Sequence, residues 1–465
     1  MTTEPFRTEH DSLGELDVPA AAYYGIQTAR AVANFPVSGL VAAPELVRAA
    51  ALVKRAAAEA SVELGTLDAE RGGAIIAAAG EILAGRHTDQ FPVDVFQAGA
   101  GTSFNMNANE VIANRALELL GLERGDYARL SPNDHVIMAQ SSNDAFPTMC
   151  HLAVIFAADR LLRVLSELAV AFGRKADEFR DLPKSGRTHL MDALPVTLGA
   201  EFGAYASAVT RAAGRLAQRR DDLLEVALGG TAVGTGANAH PRFAVLALAR
   251  LSAAAGLTLV PARDRYEALQ SRVQLAAFSS ALRELAQELA RIANDLRLLN
   301  SGPVAGLGEI ALPAAQPGSS IMPGKVNPSI PECLNMICFQ VIGNDAAVSL
   351  AAGAGQLELN VFAPLMVHNI LESLGLLERF LPEFIARCID GIRANEERCR
   401  QELRLNPALA TLLAPRIDYM AAAELAKEAL ARSVPVAELA VAKGIVTAAE
   451  AKLIFEPDPG APTGR

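Results

Sequence analysis

Residues 263–299, RDRYEALQSRVQLAAFSSALRELAQELARIANDLRLL, form a segment without proline from which the architecture of this chain can be inferred. Large apolar residues recur in it at alternating steps of three and four positions. They are Leu275, Phe278, Leu282, Leu285, Leu289, Ile292 and Leu296. Because an α-helix has about 3.6 residues per turn, this spacing places all of them on one face and predicts a long helix packed into a core.

Four further segments have a similar apolar spacing. They span residues 148–181, 196–228, 328–352 and 365–395. Pro147 and Pro195 precede the first two, and proline is well suited to the first turn of a helix. A helix of about 30 residues is roughly 45 Å long, and rods of that length bury their apolar faces against one another. The sequence therefore predicts a mainly α protein with a long central helical bundle.

Shorter elements flank the predicted bundle. Short helices are expected at residues 44–65, 107–120, 419–432, 435–443 and 447–455, and a frayed tail at 456–465. The predicted domains are a mixed domain at 1–140, the bundle at 141–395 and a small helical domain at 396–465. Because such a bundle leaves alanine-rich flanks exposed, and copies of the same chain are the natural cover, we expect a homo-oligomer.

Composition and charge exclude several classes of protein. Hydrophobic residues make up 51% of the 465-residue chain and charged residues 20%, which is typical of a globular protein and excludes a disordered one. The net charge is −10, from 42 Lys+Arg and 52 Asp+Glu, which argues against a nucleic-acid partner. No uncharged apolar run reaches about 18 residues, so we expect no membrane span.

The cysteines and the N-terminus indicate a cytoplasmic protein. The five cysteines form no CxxC pair, and an odd number of thiols in a long chain fits a reducing compartment. The first residues, MTTEPFRTEHDSLGELDV, are acidic and polar and lack the apolar centre of a signal peptide.

Four polar segments that contain glycine interrupt the apolar pattern, each where a long helix begins or ends. They are GAGTSFNMNANE (99–110), SPNDHVIMAQSSND (131–144), SGRTHLMDALP (185–195) and PGSSIMPGKVNPSIPE (317–332). Each segment alone is most simply a set of helix caps. Together, their hydroxyls, amides and few cations are groups that can hold a small dicarboxylate. No spacing of His, Cys, Asp and Glu suggests a metal site.

The last of these segments is the most informative. Gly318, Ser319 and Ser320 form a flexible turn rich in hydroxyl groups. Lys325 and Asn327 follow after a second bend. An exposed surface loop is the simpler interpretation, but such a loop has no need of the apolar residues that lie between the polar ones. A mobile lid over an anionic ligand would place Lys325 on a carboxylate and Asn327 beside it as a donor.

The motif GSSIMPGKVNP in this loop resembles the signature of the aspartase/fumarase superfamily, GSSxMxxKxN. The other three segments and the motif LGGTAVGTGAN (228–238) agree with it, and the likeness extends over residues 7–455. The resemblance implies a homotetramer whose bundles combine into a core of about 20 helices, with each active site built from three subunits. It also implies elimination from a small dicarboxylate to give fumarate, with no cofactor and no metal.

The resemblance further implies roles for individual residues. Ser319 matches the catalytic base, His189 the catalytic histidine, and Glu332 the carboxylate that orients the histidine. The residues that match substrate-binding positions are Thr102, Ser141, Ser142, Asn143, Thr188, Ser320, Lys325 and Asn327. Alone, His189 would more simply be a structural histidine, but its place in a matched motif favours the catalytic role. Because a serine is a weak base, its alkoxide must be stabilised by loop amides and by Lys325.

The leaving group is ammonia or hydroxide, and the residues that resemble each branch conflict. Ser142 is commoner in fumarases, whereas Ala100 and Ser131 stand where fumarases commonly have Ser and His. An α-ammonium group needs acceptors, such as the oxygens of Thr102, Asn143 and Ser142. Hydration needs an ordered water, which Ala100 cannot help to hold. We expect L-aspartate ammonia-lyase activity, and the alternative is a class II fumarate hydratase acting on L-malate.

Two non-catalytic functions are also compatible with the fold class: a structural protein of the eye-lens type and a binding module for dicarboxylates. Neither requires a serine base on a mobile loop. The presence of Ser319, Lys325 and Asn327 together therefore argues against both.

Overall fold

The computed structural model describes residues 5–455, so the predicted frayed tail at 456–465 lies outside the described residues. The fold is mostly helical, as predicted. The helices are α1 (Ile26–Asn34), α2 (Pro44–Glu63), α3 (Ala69–Leu83), α4 (Thr102–Leu119), α5 (Ser142–Glu178), α6 (Leu198–Asp222), α7 (Phe243–Ala255), α8 (Arg265–Gln270), α9 (Val273–Leu299), α10 (Ser329–Gly353), α11 (Ala363–Phe384), α12 (Glu396–Leu405), α13 (Ala414–Ile417), α14 (Tyr419–Arg432), α15 (Val436–Ala442) and α16 (Ala448–Phe455).

The strands of the described chain form small two-stranded sheets. They are β1 (Phe6–Asp11), β2 (Gly14–Pro19), β3 (Pro183–Thr188), β4 (Met191–Thr197), β5 (Glu225–Val226), β6 (Val260–Pro261), β7 (Ile310–Ala311) and β8 (Arg393–Ala394). The antiparallel pairs are β1–β2, β3–β4 and β7–β8, whereas β5–β6 is parallel. The β1–β2 and β3–β4 hairpins were not anticipated from the sequence.

The apolar face predicted for α9 is buried. Its seven large apolar residues, from Leu275 to Leu296, have at most 1% of their surface exposed. This confirms that α9 is a core helix, because a face so completely removed from water must be covered along its whole length.

The chain divides into two compact units. The first unit comprises Met1–Leu162, Gly214–Glu284 and Gln340–Leu377, and the second comprises Arg163–Ala213, Leu285–Phe339 and Glu378–Arg465. Each point of division falls inside one of the long helices α5, α6, α9, α10 and α11. The three-domain organisation inferred from the sequence stays a prediction.

In the first unit, buried polar contacts join the long helices. The Ser279 hydroxyl of α9 donates to Asp345 of α10 at 2.7 Å. The amide of Asn344 on α10 donates to the hydroxyl of Ser373 on α11 at 3.0 Å. These contacts fix which helix faces meet, because a buried polar group without a partner is costly.

In the second unit, aromatic and polar contacts join the same helices. The rings of Phe172 on α5 and Tyr205 on α6 pack edge to face at 5.7 Å. The Tyr205 hydroxyl of α6 lies 3.3 Å from Asp295 of α9. Helices α5, α6 and α9 therefore pack on one another within this unit.

Helix α5 begins earlier than predicted because its N-terminus is capped by its own side chains. The Ser141 Oγ accepts from Asn143 N at 3.2 Å, and Asp144 accepts from Ser141 N at 2.8 Å. This reciprocal arrangement is a capping box. Pro147 consequently lies inside the helix and does not precede it, so our placement of Pro147 before the first turn was wrong.

Other boundaries also differ from the predicted ones. The segment 263–299 is broken into α8 and α9 at Ser271, whose Oγ accepts from Val273 N at 3.2 Å and caps α9. Pro195 lies in β4 and not in a helical turn. Helix α11 ends at Phe384 and is followed by a π-turn at Ile385–Ile389. Of the short helices, α14 has the predicted bounds, whereas α4 begins at Thr102.

Helix α10 is long and apolar enough to cross a membrane by length and composition, and only 33% of its most apolar window is buried. Its polar residues, however, pair with neighbouring helices, as Asn344 and Asp345 do in the first unit. Its exposed apolar residues include Met336, Phe339 and Leu350, which are 63%, 59% and 77% exposed. This uncovered face is characteristic of a surface that meets other protein.

Candidate active site

Thr102 lies at the start of α4, in the first unit, directly after a tight turn. Ala100 and Gly101 in this turn have positive φ, 57° and 67°. A Cβ at Gly101 would lie 2.4 Å from the ring of Phe146, so only glycine fits there. The Thr102 hydroxyl donates to Gly99 O at 3.2 Å. Because that bond uses its hydrogen, the exposed Oγ1 of Thr102 presents lone pairs.

Asn143 lies in the first turn of α5, also in the first unit. Its Nδ2 donates to Ala232 O at 2.8 Å. Since a carbonyl oxygen can only accept, this bond fixes the amide orientation and turns Oδ1 away as an acceptor. Nearby, Ser142 Oγ lies 2.9 Å from Nδ2 of Asn105 on α4. The predicted residues Thr102, Ser142 and Asn143 thus belong to segments that the fold brings together.

Asp144 connects this turn to the motif at 228–238. Its carboxylate is fully buried and accepts from the backbone N–H of Ser141, Gly229 and Thr231 at 2.8–2.9 Å. Burial raises the pKa of Asp144, an effect that these three N–H groups and Lys54 oppose. Asp144 therefore holds two backbone segments together through these hydrogen bonds.

Lys54 of α2 is a buried cation beside the same turn. It is fully buried, and its Nζ donates to Gln140 Oε1 at 3.0 Å. Burial lowers its pKa, and the negative charge of Asp144 opposes this shift. Neither Lys54 nor Asp144 was singled out from the sequence. The signal that could have identified Lys54 is the presence of a lysine on the otherwise apolar face of α2.

Thr188 and His189 lie in the second unit, at the tip of the β3–β4 hairpin. Both are exposed. Among the described residues, neither side chain hydrogen-bonds to the loop at 317–328. Within its own chain, the second unit therefore presents His189 on a projecting hairpin and not in a closed pocket.

The loop that carries Ser319 is also in the second unit. Ser319 Oγ accepts from Ile321 N at 3.2 Å and from Met322 N at 3.1 Å. These two amides would stabilise negative charge on the oxygen if Ser319 were an alkoxide. Lys325 and Ser320 are exposed, so both can meet a ligand.

Asn327 closes the same loop. Its Nδ2 donates to Gly318 O at 2.8 Å, and Gly318 N donates to Lys325 O at 2.8 Å. A Cβ at Gly318 would lie 2.5 Å from Lys325 O, so glycine is required for this closure. This bond uses one of the two N–H groups of the Asn327 amide, so the second N–H is the donor that can meet a carboxylate.

Glu332 follows the loop in the first turn of α10. It lies 3.7 Å from the guanidinium of Arg297. Among the described residues, Glu332 makes no hydrogen bond or ion pair with His189 of its own chain. Its predicted role in orienting the histidine therefore requires a histidine from another subunit.

The geometry separates the predicted residues into two sets. Thr102, Ser141, Ser142 and Asn143 belong to the first unit and present hydroxyls and oxygen acceptors. Thr188, His189, Ser319, Ser320, Lys325, Asn327 and Glu332 belong to the second unit and present a serine, a histidine and a cation. In the part of the chain that the structure describes, no three His, Cys, Asp or Glu side chains converge on a potential metal site.

A helical fold of this form, with a serine on a glycine-rich loop held by backbone amides, agrees with the lyase superfamily that the loop motif predicts. The sequence matches the family described as "Lyase" over residues 14–343 and the family described as "Fumarase C C-terminus" over 409–459. The chain belongs to the aspartase/fumarase superfamily and is a lyase.

Relatives of both branches resemble the whole chain. An aspartate ammonia-lyase from a Bacillus species is 46% identical over 97% of this chain and 96% of its own length. A class II fumarate hydratase from Halobacterium salinarum is 49% identical over 98% of this chain and 97% of its own. These two identities do not distinguish the branches.

Solved structures share the fold throughout. A fumarate lyase:delta crystallin from Brucella melitensis, bound to cobalt, has a TM-score of 0.95 at 50% identity and covers 97% of this chain and 99% of that one. A class II fumarase from Schistosoma mansoni has a TM-score of 0.94 at 35% identity, and the match covers 99% of this chain and 100% of that one.

Proposed function

We propose that this chain is an L-aspartate ammonia-lyase, which eliminates ammonia from L-aspartate to give fumarate. The observation that carries the proposal is the orientation of Thr102 and Asn143. Thr102 donates its hydroxyl hydrogen to Gly99 O and Asn143 donates one N–H to Ala232 O, so that Oγ1 of Thr102 and Oδ1 of Asn143 are acceptors. An α-ammonium group has three donors and no acceptor, so such a pair suits it.

Ala100 supports the same choice of substrate. It is 5% exposed in the turn before Thr102 and has no hydroxyl with which to hold an ordered water. Loss of one positioned donor in an active site typically lowers the rate by about 10²–10³. Ammonia also departs without a proton from the enzyme, since the amine is already protonated, whereas hydroxide requires one.

In the proposed reaction, Ser319 as its alkoxide removes a proton from Cβ of the substrate. The C–H electrons form an aci-carboxylate with the adjacent carboxyl group. They then form the Cα–Cβ double bond, and the electrons of the Cα–N bond leave with ammonia. Lys325 and Asn327 bind the carboxylate that gains charge, and Thr188 and Ser320 bind beside it. Ser141 and Ser142 bind the other carboxylate, and His189, oriented by Glu332, assists at the site.

We also propose that the protein is a cytoplasmic homotetramer with active sites shared by three subunits. Two observations support this assembly: the apolar face of α10 is uncovered, and among the described residues no hydrogen bond joins the His189 and Ser319 segments of one chain. All five cysteines are free thiols, which suits a reducing compartment. No cofactor, metal, nucleic acid or membrane takes part in the proposed reaction.

The test is to measure the absorbance of fumarate formed by the purified enzyme from L-aspartate and, separately, from L-malate. We expect efficient deamination, with turnover of L-malate and hydration of fumarate at least about a hundredfold slower. Equal or faster turnover of L-malate would overturn the assignment.

A class II fumarate hydratase is the second candidate. Ser142, the residue commoner in fumarases at this position, favours it. An Ala100→Ser enzyme separates the two candidates further. If the wild type deaminates L-aspartate, the added hydroxyl is expected to raise its small activity on L-malate.

A further inference from the structure

The hairpin that carries His189 has an unusual backbone at its tip. Thr188 pairs with Met191, so His189 and Leu190 form a two-residue turn. Their φ angles are 55° and 61°, as a type I′ turn requires, although glycine and asparagine are the usual residues there. Leu190 is 73% exposed, so packing within its own chain does not hold this conformation. Within one chain, the tip can be positioned only through the base of the hairpin.

The base of the hairpin contains a bulge that directs Arg187 inward. The register of β3 and β4 shifts between Ser185 and Arg187, with Gly186 between them. A Cβ at Gly186 would lie 2.6 Å from Leu194 O, so the bulge requires glycine. Bulges of this kind re-aim side chains next to active sites. Here the Arg187 side chain is 15% exposed, while the next two residues project into solvent.

Three carboxylates hold the two cations of β3. Glu309, which is fully buried, contacts Arg187 Nη1 at 2.7 Å and Lys184 Nζ at 2.6 Å. Glu402 contacts Arg187 Nη2 at 3.0 Å, and Glu201 contacts Lys184 Nζ at 2.8 Å. Both terminal nitrogens of Arg187 are therefore held by carboxylates, which fixes the plane of its guanidinium.

Asn406 also holds the hairpin, through hydrogen bonds to uncharged groups. Its Nδ2 donates to Ser185 Oγ at 3.1 Å on β3 and lies 2.7 Å from Ala193 O on β4. Both strands are thus anchored close to the bulge. The anchored base ends at Arg187, two residues before His189.

We propose that Arg187 and Glu309 are positioning residues for His189, which they set through the base of the hairpin. This inference rests on the proposed function, in which His189 takes part in elimination. A purely stabilising role explains the network poorly, because burying the charges of Glu309, Lys184 and Arg187 costs about as much as their pairing returns. A fixed arginine two residues from an exposed, strained turn explains both the network and the turn.

The first test compares kcat and KM of correctly assembled Arg187→Lys, Glu309→Gln and Glu402→Gln enzymes. Whichever of L-aspartate and L-malate the wild type turns over is used, so an error in the proposed substrate does not affect the result. We expect Arg187→Lys and Glu309→Gln to lower kcat at least about tenfold with KM changed less than about threefold, as for loss of a group that acts only in the transition state. Lysine keeps the charge but cannot engage two carboxylates in one plane.

Glu178→Gln is the matched control. It breaks the ion pair between Lys175 and Glu178, also in the second unit. Among the described residues, Lys175 Nζ hydrogen-bonds to Glu178 and to Ile392 O and to no residue of the hairpin. We expect its kcat to remain at the wild-type value. If Glu309→Gln fails to fold, Arg187→Lys and the milder Glu402→Gln carry the test. Unchanged kcat per folded molecule in Arg187→Lys would overturn the proposal.

A second test asks whether Glu309 acts on the hairpin or on the Ser319 loop, which follows β7. In hybrids of Ser319→Ala and His189→Ala chains, the Ser319→Ala chains supply the intact His189. We expect the restored activity to be abolished when Glu309→Gln is added to the Ser319→Ala chains. When Glu309→Gln is added to the His189→Ala chains instead, we expect most of the restored activity to remain. Equal losses on both chains would contradict the proposal. If the hybrids restore no activity, the kcat comparison alone decides.

Discussion

The hydroxyl oxygen of Ser319 accepts from two amides of its own loop. A serine at the start of a turn often makes such bonds for structural reasons alone. The same two bonds would also stabilise an alkoxide, so geometry does not separate a capping residue from a base. Substitution of Ser319 distinguishes the two roles, because loss of a cap lowers stability, whereas loss of a base lowers turnover.

We expect Ser319→Ala to fold and assemble normally and to lose nearly all elimination activity. The alanine removes the only proposed proton acceptor for Cβ and leaves the loop closure at Gly318 and Asn327 intact. Fumarate absorbance measures the activity, and Ser166→Ala, at an exposed serine of α5 outside the four polar segments, is the control. Retention of more than about a tenth of the wild-type turnover would exclude Ser319 as the base.

His151 provides a prediction about stability and pH. It is buried on α5, and its Nδ1 lies 2.9 Å from Glu225 O. Burial and the positive charge of Arg272 lower the pKa of His151 to about 4, against about 6.5 in an unfolded chain. The unfolded state therefore binds a proton first as the pH falls, and stability is lost between about pH 6.5 and 4.

A His151→Asn enzyme should lack this loss, because the asparagine amide can donate to the same carbonyl without titrating. We expect the midpoint of thermal unfolding to fall between pH 7.5 and pH 5 by a larger amount in the wild type than in the variant. Equal falls in the two proteins would show that His151 does not contribute.

Among the elements, α10 has the clearest unexplained surface. Its apolar residues Met336, Phe339 and Leu350 are more than half exposed in the single chain. Burying one such side chain typically contributes about 1.5–3 kcal/mol. A helix that is apolar on its outer side as well as its inner side is expected to pack against further protein.

We expect Leu350→Glu to dissociate the proposed tetramer and to abolish activity with it, because the substitution places a charge in a desolvated interface. Analytical ultracentrifugation measures the assembly. Leu430→Glu is the control, since Leu430 of α14 is also exposed, at 66%, but lies in the small C-terminal region. A Leu350→Glu protein that remains tetrameric would exclude α10 from the core of the assembly.

For the whole molecule, the question is whether one active site draws on several chains. His189 and Ser319 lie in the same unit, yet among the described residues no hydrogen bond joins their segments. Glu332, proposed to orient the histidine, contacts Arg297 instead. Each of these observations favours sites completed by residues of other subunits.

Mixing Ser319→Ala and His189→Ala chains at equal amounts, unfolding them and refolding them together tests this arrangement. If Ser319 and His189 of one site come from different chains, random assembly gives both intact residues in about a quarter of the sites. Restored activity near that fraction is expected, whereas each variant refolded alone stays inactive. Hybrids that form but show no activity would count against shared sites.

Much of the fold and of the site follows from local sequence. The spacing of the apolar residues in α9 is repeated every turn, so a short window contains the whole signal for a buried helix. The loop motif with Ser319, Lys325 and Asn327 is equally local, since its closure uses residues within nine positions of one another. These signals identified the helical fold and the superfamily.

The remaining features depend on residues far apart in the chain, and only the tertiary structure decided them. Asp144 is buried because Gly229 and Thr231 bring their amides to it, and Glu309 is buried because Lys184 and Arg187 neutralise it. In the sequence, Asp144 and Glu309 both have the appearance of ordinary charged positions. The free energy of a buried charge is set by the partners that folding brings to it, and those partners have no fixed spacing along the chain.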